Sequence, residues 1–367
     1  MITNINKRGK MKRKLLKVLT VATLILAGCT SSQTTETTIT TQTAQTAQTA
    51  QEEIPSVTKD VFAMDTYMTL TAYGDKAQEA IDKAEERINE LDKMLSTGDE
   101  QSEISILNKK GKAILSEDAY LLTKCSLNLY KETNGIFDIS IYPVMQAWGF
   151  PTQKYRVPKK EELKKLLKLT DATKISLNDE TKEVKFNMEG MKIDLGGIAK
   201  GYTSSEIMDI FKDYDIKSGI VSLGGNVQTY GYKTDGSKWR VAVQNPDNTD
   251  NYLGVLETHD KAVITSGGYE RYFEKDGKTY HHIIDPATGY PADSGLTSVT
   301  IISNNGMLAD GLSTSLFIMG LDKAKEFWAS HSDQFDAIFL TKDNELYVTE
   351  GIQSDFSSDF KVKVIQK

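Results

Sequence analysis

Across residues 77–95, apolar side chains recur at Ala80, Ile81, Ala84, Ile88, Leu91 and Leu95 with charged residues between them. That period is one face of an α-helix, so the stretch predicts an amphipathic helix lying on a core. The preceding run VFAMDTYMTLTAY at 61–73 alternates instead and is rich in Thr, Tyr and Phe, which predicts a strand in a hairpin or mixed sheet. After Ser96-Thr97-Gly98, Ser102 is placed to cap a short helix. Residues 116–133 predict a further helix stopped by Asn134-Gly135, and IFDISIYP at 136–143 reads as extended up to its proline. Residues 158–167 form a charged helical pattern with a solvated face.

The second half is richer in strands. GIVSLGGNVQTY at 219–230 reads as a strand interrupted by Gly224-Gly225, and further strands are predicted at 239–244, 298–302, 336–340 and 345–348. Glycines inside a strand mark a bulge or a close backbone approach. AVITSGGYERYF at 262–273 places another Gly-Gly after a strand, followed by Arg271 and aromatic residues. Asp285-Pro286-Ala287-Thr288-Gly289 is a turn by composition. The class implied is α+β, with mixed and antiparallel sheets packed against helices in one domain over 54–367.

Composition sets the bounds. With 367 residues and 39% hydrophobic content the chain can bury a sizeable core. Its 44 basic and 51 acidic side chains give a net charge of −7, and the dense basic cluster is confined to the first 17 positions, so nucleic-acid binding is not expected. Cys125 sits in an apolar helical run and reads as a small buried hydrophobe. Four histidines without Cys/His spacing argue against structural zinc.

Residues 1–28 have the form of a targeting segment: a basic stretch from Lys7 to Lys17, then an apolar run from Val18 to Ala27 that is short for a spanning helix. Leu26-Ala27-Gly28-Cys29 resembles a bacterial lipoprotein box; a simple secretory peptide is the alternative. The resemblance implies cleavage before Cys29, diacylglyceryl attachment to its sulfur and acyl chains such as palmitate in the membrane. Two or more chains suffice for stable anchoring. The mature protein is then expected on the bacterial cytoplasmic membrane, lipid-anchored and facing the extracytoplasmic side. Residues 29–53 are mostly Thr, Gln, Ser and Ala and read as a disordered tether with little to bury.

Candidate chemistry concentrates in KIDLGGIAKGY at 192–202. Residues 184–186 and 191–193 alternate like strands, a helix is predicted from Ala199, and Gly196-Gly197 makes the turn between them. Asp194, two glycines and Lys200 at a helix N-terminus suit an anion and metal cradle, and a diphosphate would fit there. An ordinary turn with a salt-bridged Lys200 is the alternative. DGLSTS at 310–315 opens an apolar helix with Asp310 and Thr314 on one face. Together with a carbonyl from the glycine turn and phosphate oxygens they would complete the oxygen shell that Mg²⁺ requires. Asp138 is either a cap or a polar contact in a ligand site, with Trp148 offering aromatic surface. His281 and His282 serve either a core hydrogen bond or chemistry.

Six segments in order, MDTYMTL at 64–70, GIFDISIYPVMQAWGF at 135–150, IDLGGIAKGY at 193–202, SLGGN at 222–226, HIIDPATGYP at 282–291 and ADGLSTS at 309–315, resemble the ApbE family. The likeness runs from about Val61 to Gly320. It implies an ApbE-like, T-fold-related single catalytic domain that moves FMN from FAD onto a Thr or Ser hydroxyl of a partner protein and releases AMP. Carried over, flavin contacts fall on Met64, Ile136, Phe137, Asp138, Asp194, Lys200, His282 and Ile284. The Mg²⁺ ligands fall on the Gly197 carbonyl, Asp310 and Thr314, and His282 or Asp310 is the residue that takes the hydroxyl proton. The chain departs at Gly98, where the family usually has an aromatic; Tyr67 or Trp148 is expected to compensate. The implied partner carries a Ser/Thr flavinylation motif, with an extracytoplasmic electron-transfer flavoprotein as the natural acceptor. An FAD pyrophosphatase giving FMN and AMP, or a flavin-binding lipoprotein without catalysis, would use the same binding residues.

Overall fold

The computed structural model describes residues 54–248 and 250–367. The leader at 1–28, Cys29 and the tether at 29–53 lie outside the described residues. A nine-stranded sheet runs in the spatial order Ser56–Ala63, Thr66–Tyr73, Ser218–Leu223, Asn226–Tyr230, Ala262–Gly267, Leu296–Ser303, Phe335–Thr341, Leu346–Thr349 and Val362–Ile365. Each neighbouring pair is antiparallel except the last, which is parallel. The helices are α1 (Ala77–Leu95), α2 (Glu103–Lys110), α3 (Glu117–Glu132), α4 (Tyr142–Trp148), α5 (Lys160–Leu166), α6 (Gly196–Asp213), α7 (Gly306–Met319) and α8 (Leu321–Ser330). Among the described residues no helix is long and apolar enough to cross a membrane.

The central strands are apolar on both faces because both faces are covered. Ile264, Val299 and Ile301 pack with side chains of α6 and α7, whereas Val263, Ile302, Ile338 and Leu340 join a second core with Val241, Val243 and Leu256. That second layer is a small antiparallel sheet of Trp239–Gln244, Tyr252–Thr258 and Phe356–Ser357. Toward the other end, α1 lays Ala80, Ile81, Ala84 and Ile88 on Met68, Leu70 and Val221. Its apolar stripe is the one the sequence predicts.

Several local expectations change. The 61–73 run is a hairpin whose turn is Met64-Asp65, both at positive φ (50° and 58°), between paired Ala63 and Thr66. Such a two-residue turn normally takes Asn or Gly, so a Met there gives no turn signal in the sequence. Gly224-Gly225, with φ of 60° and 96°, is likewise a hairpin turn joining Leu223 to Asn226 and not an interruption in one strand. Residues 136–143 are not extended: a 3₁₀ turn at Ile139–Ile141 runs into α4, and Pro143 lies in its first turn, where a missing N–H is harmless. Residues 191–193 belong to no strand; the Asn108 side chain takes a partner strand's place, donating to Ile193 O (2.8 Å) and accepting from Ile193 N (2.7 Å).

Helix starts also move. α6 begins at Gly196, three residues before the predicted start, so the glycine pair is its first turn. α7 begins at Gly306 with the Asn305 side chain capping Leu308 N, which puts Asp310 in the second turn. The two helices cross at their glycines. A Cβ on Gly201 would lie 2.1 Å from Gly306 O, and one on Gly306 would lie 2.5 Å from Gly201 O. Gly201→Ala is therefore expected to cost about 1–3 kcal/mol by overpacking, seen as a lower urea midpoint; an unchanged midpoint would contradict so tight a crossing.

Candidate active site

The helix crossing brings together residues about 110 positions apart. Asp310, 4% exposed, accepts the backbone N–H of Gly201 on Oδ2 at 2.8 Å, and its Oδ1 stands 4.0 Å from Lys200 Nζ. In an α-helix the Gly201 N–H is aimed toward the carbonyl of Gly197, so Asp310 is drawn alongside that carbonyl. One turn further along α7, Thr314 Oγ1 lies 3.3 Å from Ser266 Oγ at the end of strand Ala262–Gly267, and Ser266 Oγ also meets Ser313 Oγ at 2.7 Å. Phe137 is the floor: its ring would touch a Cβ placed on Gly197 (3.3 Å) or on Gly311 (3.5 Å).

Asp194 closes the entrance to α6. Its Oδ1 accepts from Gly196 N (2.7 Å), and Thr97 Oγ1 reaches its Oδ2 at 3.4 Å. Burial pushes the Asp194 carboxyl up, against the bond from Gly196 and the nearby charges of Arg271 and Lys200. Asp138 caps the 3₁₀ turn, accepting from Ser140 N (2.8 Å) and Ser140 Oγ (2.6 Å), and burial raises it too. Ile136, half-buried, flanks the Phe137 floor.

His282 is anchored from one side. Its Nδ1 lies 3.2 Å from Arg271 O, which only a protonated Nδ1 can satisfy as a donor, so the Nε2 lone pair is left available. Burial, then the charge of Lys200, depresses the imidazole to about 3, so it is neutral at physiological pH. Glu270, next to Arg271 in the chain, is pushed up to about 7 by burial, with Lys200 pulling it down and Asp310 pushing it up.

Met64 borders the same region, its Sδ 3.7 Å from Thr203 Oγ1 on α6. Ile284 is different: at 5% exposed, its side chain packs with Trp148 and Phe150 in a separate aromatic cluster. The expected compensation for Gly98 by Trp148 fails, because Trp148 is fully buried and donates its Nε1–H to Gly289 O (2.8 Å). Tyr67 is 78% exposed and lies edge-on to Phe62. Cys125 is half-buried in α3.

Sequence reasoning did not single out Ser266, Glu270 or Thr97, and named Arg271 without giving it a role. The Ser266-Gly267-Gly268 segment after a strand was the signal for the first; nothing local marks Thr97. Among the described residues no three His, Cys, Asp or Glu side chains cluster to hold a metal. The donors are one carboxylate, a hydroxyl and a carbonyl, all hard oxygens. That set fits Mg²⁺, which takes few protein ligands and fills its shell with water and phosphate oxygens.

The ApbE family model matches residues 64–339. An FAD:protein FMN transferase of Klebsiella pneumoniae is 33% identical over 244 residues, covering 66% of this chain and 75% of that protein. One of Vibrio cholerae is 30% identical over 290 residues, covering 77% and 83%. Among solved structures, the ApbE protein of Thermotoga maritima has a TM-score of 0.77 at 31% identity, covering 82% of this chain and 99% of that one. The flavin transferase ApbE of Vibrio cholerae has a TM-score of 0.75 at 25% identity, covering 83% and 100%. With the match spanning most of the described fold, this chain belongs to the ApbE family.

Proposed function

We propose that this protein is an FAD:protein FMN transferase that uses Mg²⁺, moves FMN from FAD to a Ser or Thr hydroxyl of a partner protein and releases AMP. The observation that carries the reading is the meeting of Asp310, Lys200 and the α6 N-terminus at one helix crossing, in a chain whose relatives are named for that transfer. Asp310, Thr314 and the Gly197 carbonyl would hold the metal. When bound, Mg²⁺ neutralises charge on the diphosphate oxygens.

The protein's own groups supply the rest. Lys200 sets an ammonium beside the same carboxylate, and the N-terminus of an 18-residue helix favours an anion. The acceptor oxygen attacks the phosphorus on the riboflavin side; the new O–P bond forms as the bond from that phosphorus to the bridging oxygen breaks, and the electron pair leaves with AMP. The hydroxyl proton passes to His282 Nε2. Asp310 is less suited to that task, since both its oxygens already face donors. Phosphoryl transfer asks for alignment and charge neutralisation more than covalent participation, and these residues are arranged for both.

Lipid attachment at Cys29 would hold the domain at the extracytoplasmic face of the cytoplasmic membrane, within reach of an electron-transfer flavoprotein that bears a Ser/Thr flavinylation motif.

The direct test incubates the full chain with FAD, Mg²⁺ and a small acceptor domain, then weighs the acceptor. A gain of one FMN is expected, with Asp310→Ala abolishing it and His282→Ala slowing it by roughly 100-fold or more, as for loss of a general base. AMP and free FMN without adduct would make the protein an FAD pyrophosphatase, and full transfer by Asp310→Ala would reject the metal assignment. For the anchor, Cys29→Ser is expected to move the protein out of the membrane pellet; continued pelleting would exclude attachment at that sulfur.

A further inference from the structure

Four arginines fall among the described residues, and three of them are matched to carboxylates: Arg87 to Asp118 and Glu206, Arg156 to Glu162, and Arg240 to Glu257. Arg271 is the exception. Among the described residues it is in no ion pair, and its guanidinium makes one hydrogen bond, from Nη2 to Phe150 O at 2.6 Å. A guanidinium carries five N–H donors, so Nε and Nη1 are left without a protein partner. The residue is half-buried. A cation partly stripped of water and given no counter-charge is costly, which calls for an anion that the protein itself does not supply.

Strand register fixes where that arginine sits. His282 N donates to Arg271 O at 3.0 Å, which extends the Tyr272–His281 pairing of the small hairpin by one step and sets Arg271 directly across from His282. Partners across two strands carry their side chains on one face, with Cβ atoms about 4.5–5.5 Å apart. The next pair on that face, Phe273 and Tyr280, turns to Trp148, and the His282 ring lies 6.4 Å from that of Phe150, whose carbonyl Arg271 holds. Burial dominates both Asp194 and His282, but each also feels the charges of Arg271 and Lys200. Two cations and the N-terminus of α6 therefore converge on one spot. The carboxylates beside it are already engaged, Asp194 by Gly196 N and Asp310 by Gly201 N.

We propose that the free N–H groups of Arg271 bind a non-bridging oxygen of the phosphate that is transferred, which makes Arg271 a substrate contact on the FMN side of the diphosphate. The inference rests on the flavin-transfer reading. A planar fork of donors on a permanent cation matches phosphate oxygens better than any neutral ring. The side follows from His282. In an in-line displacement the attacking and leaving oxygens lie on opposite sides of the phosphorus. His282 takes the proton of the attacking oxygen, so its neighbour across the hairpin lies beside the attacked phosphorus and away from the departing AMP. Arg271 gives up no proton and stays on the same phosphate when the new ester has formed.

The experiment measures the affinity of the full chain in Mg²⁺ for FMN, for riboflavin, which lacks the phosphate, and for AMP, in wild type, Arg271→Gln and Arg271→Lys. FMN affinity is expected to fall about 10- to 100-fold in Arg271→Gln, as for a charged hydrogen bond, and to recover in part in Arg271→Lys, which keeps the charge and loses the fork. Riboflavin and AMP affinities are expected to stay unchanged in both, which also shows that the variants fold. Full FMN affinity in Arg271→Gln overturns the inference. So does a riboflavin affinity that falls with that for FMN, since the arginine would then only support the hairpin, and so does a loss confined to AMP. A wild-type chain that binds neither FMN nor riboflavin overturns the flavin reading itself and this contact with it.

Discussion

Two backbones in direct contact, at Gly201 of α6 and Gly306 of α7, set the position of Asp310 beside Lys200. Neither glycine has room for a methyl group. The contact draws Asp310 across the helix boundary until its carboxylate accepts a main-chain N–H of α6 and stands beside Lys200. A side chain interposed there would push the carboxylate away from the first turn of α6, and the oxygen set would come apart. Buried carboxylates are stable only when paired or hydrogen-bonded, and Asp310 is both.

That crossing is braced from behind. Arg87 of α1 bonds Asp118 of α3 (2.6 Å) and Glu206 of α6 (2.7 Å), and Tyr202 adds a 2.6 Å bond to Asp118. Burial works against the Arg87 charge, yet its two carboxylate partners hold it above the ordinary arginine value. The network ties three helices to one another half a turn from Lys200. On the other side, Ser204 and Gln228 fasten α6 to the sheet, and Ser266 fastens the sheet to α7 through Ser313 and Thr314. Catalytic geometry in such a frame is a property of packing, which fits a reaction that needs alignment above all.

The legible parts of the fold were those with strong periodicity or a chemical cap. α1 matches its predicted span, and the side chains of Ser102 and Ser116 cap α2 and α3. Asp310 and Thr314 stood out because a four-residue spacing on a helix is a local fact. The crossing was invisible, since Gly201 and Gly306 are far apart in sequence and a glycine gives no sign of what it touches. The Met64-Asp65 turn was hidden because its left-handed backbone is held by the surrounding structure and not by residue type. Trp148 misled for a related reason: an aromatic beside glycines reads as a stacking surface, but burial within a separate cluster made it core.

The most direct measurement of the central claim is a crystal of the protein with FAD and Mn²⁺ in place of Mg²⁺, with the cation located by anomalous scattering. The account predicts one peak between Asp310, Thr314 and the Gly197 carbonyl, next to the diphosphate. A peak elsewhere, with the diphosphate remote from the Gly201–Gly306 crossing, would contradict it.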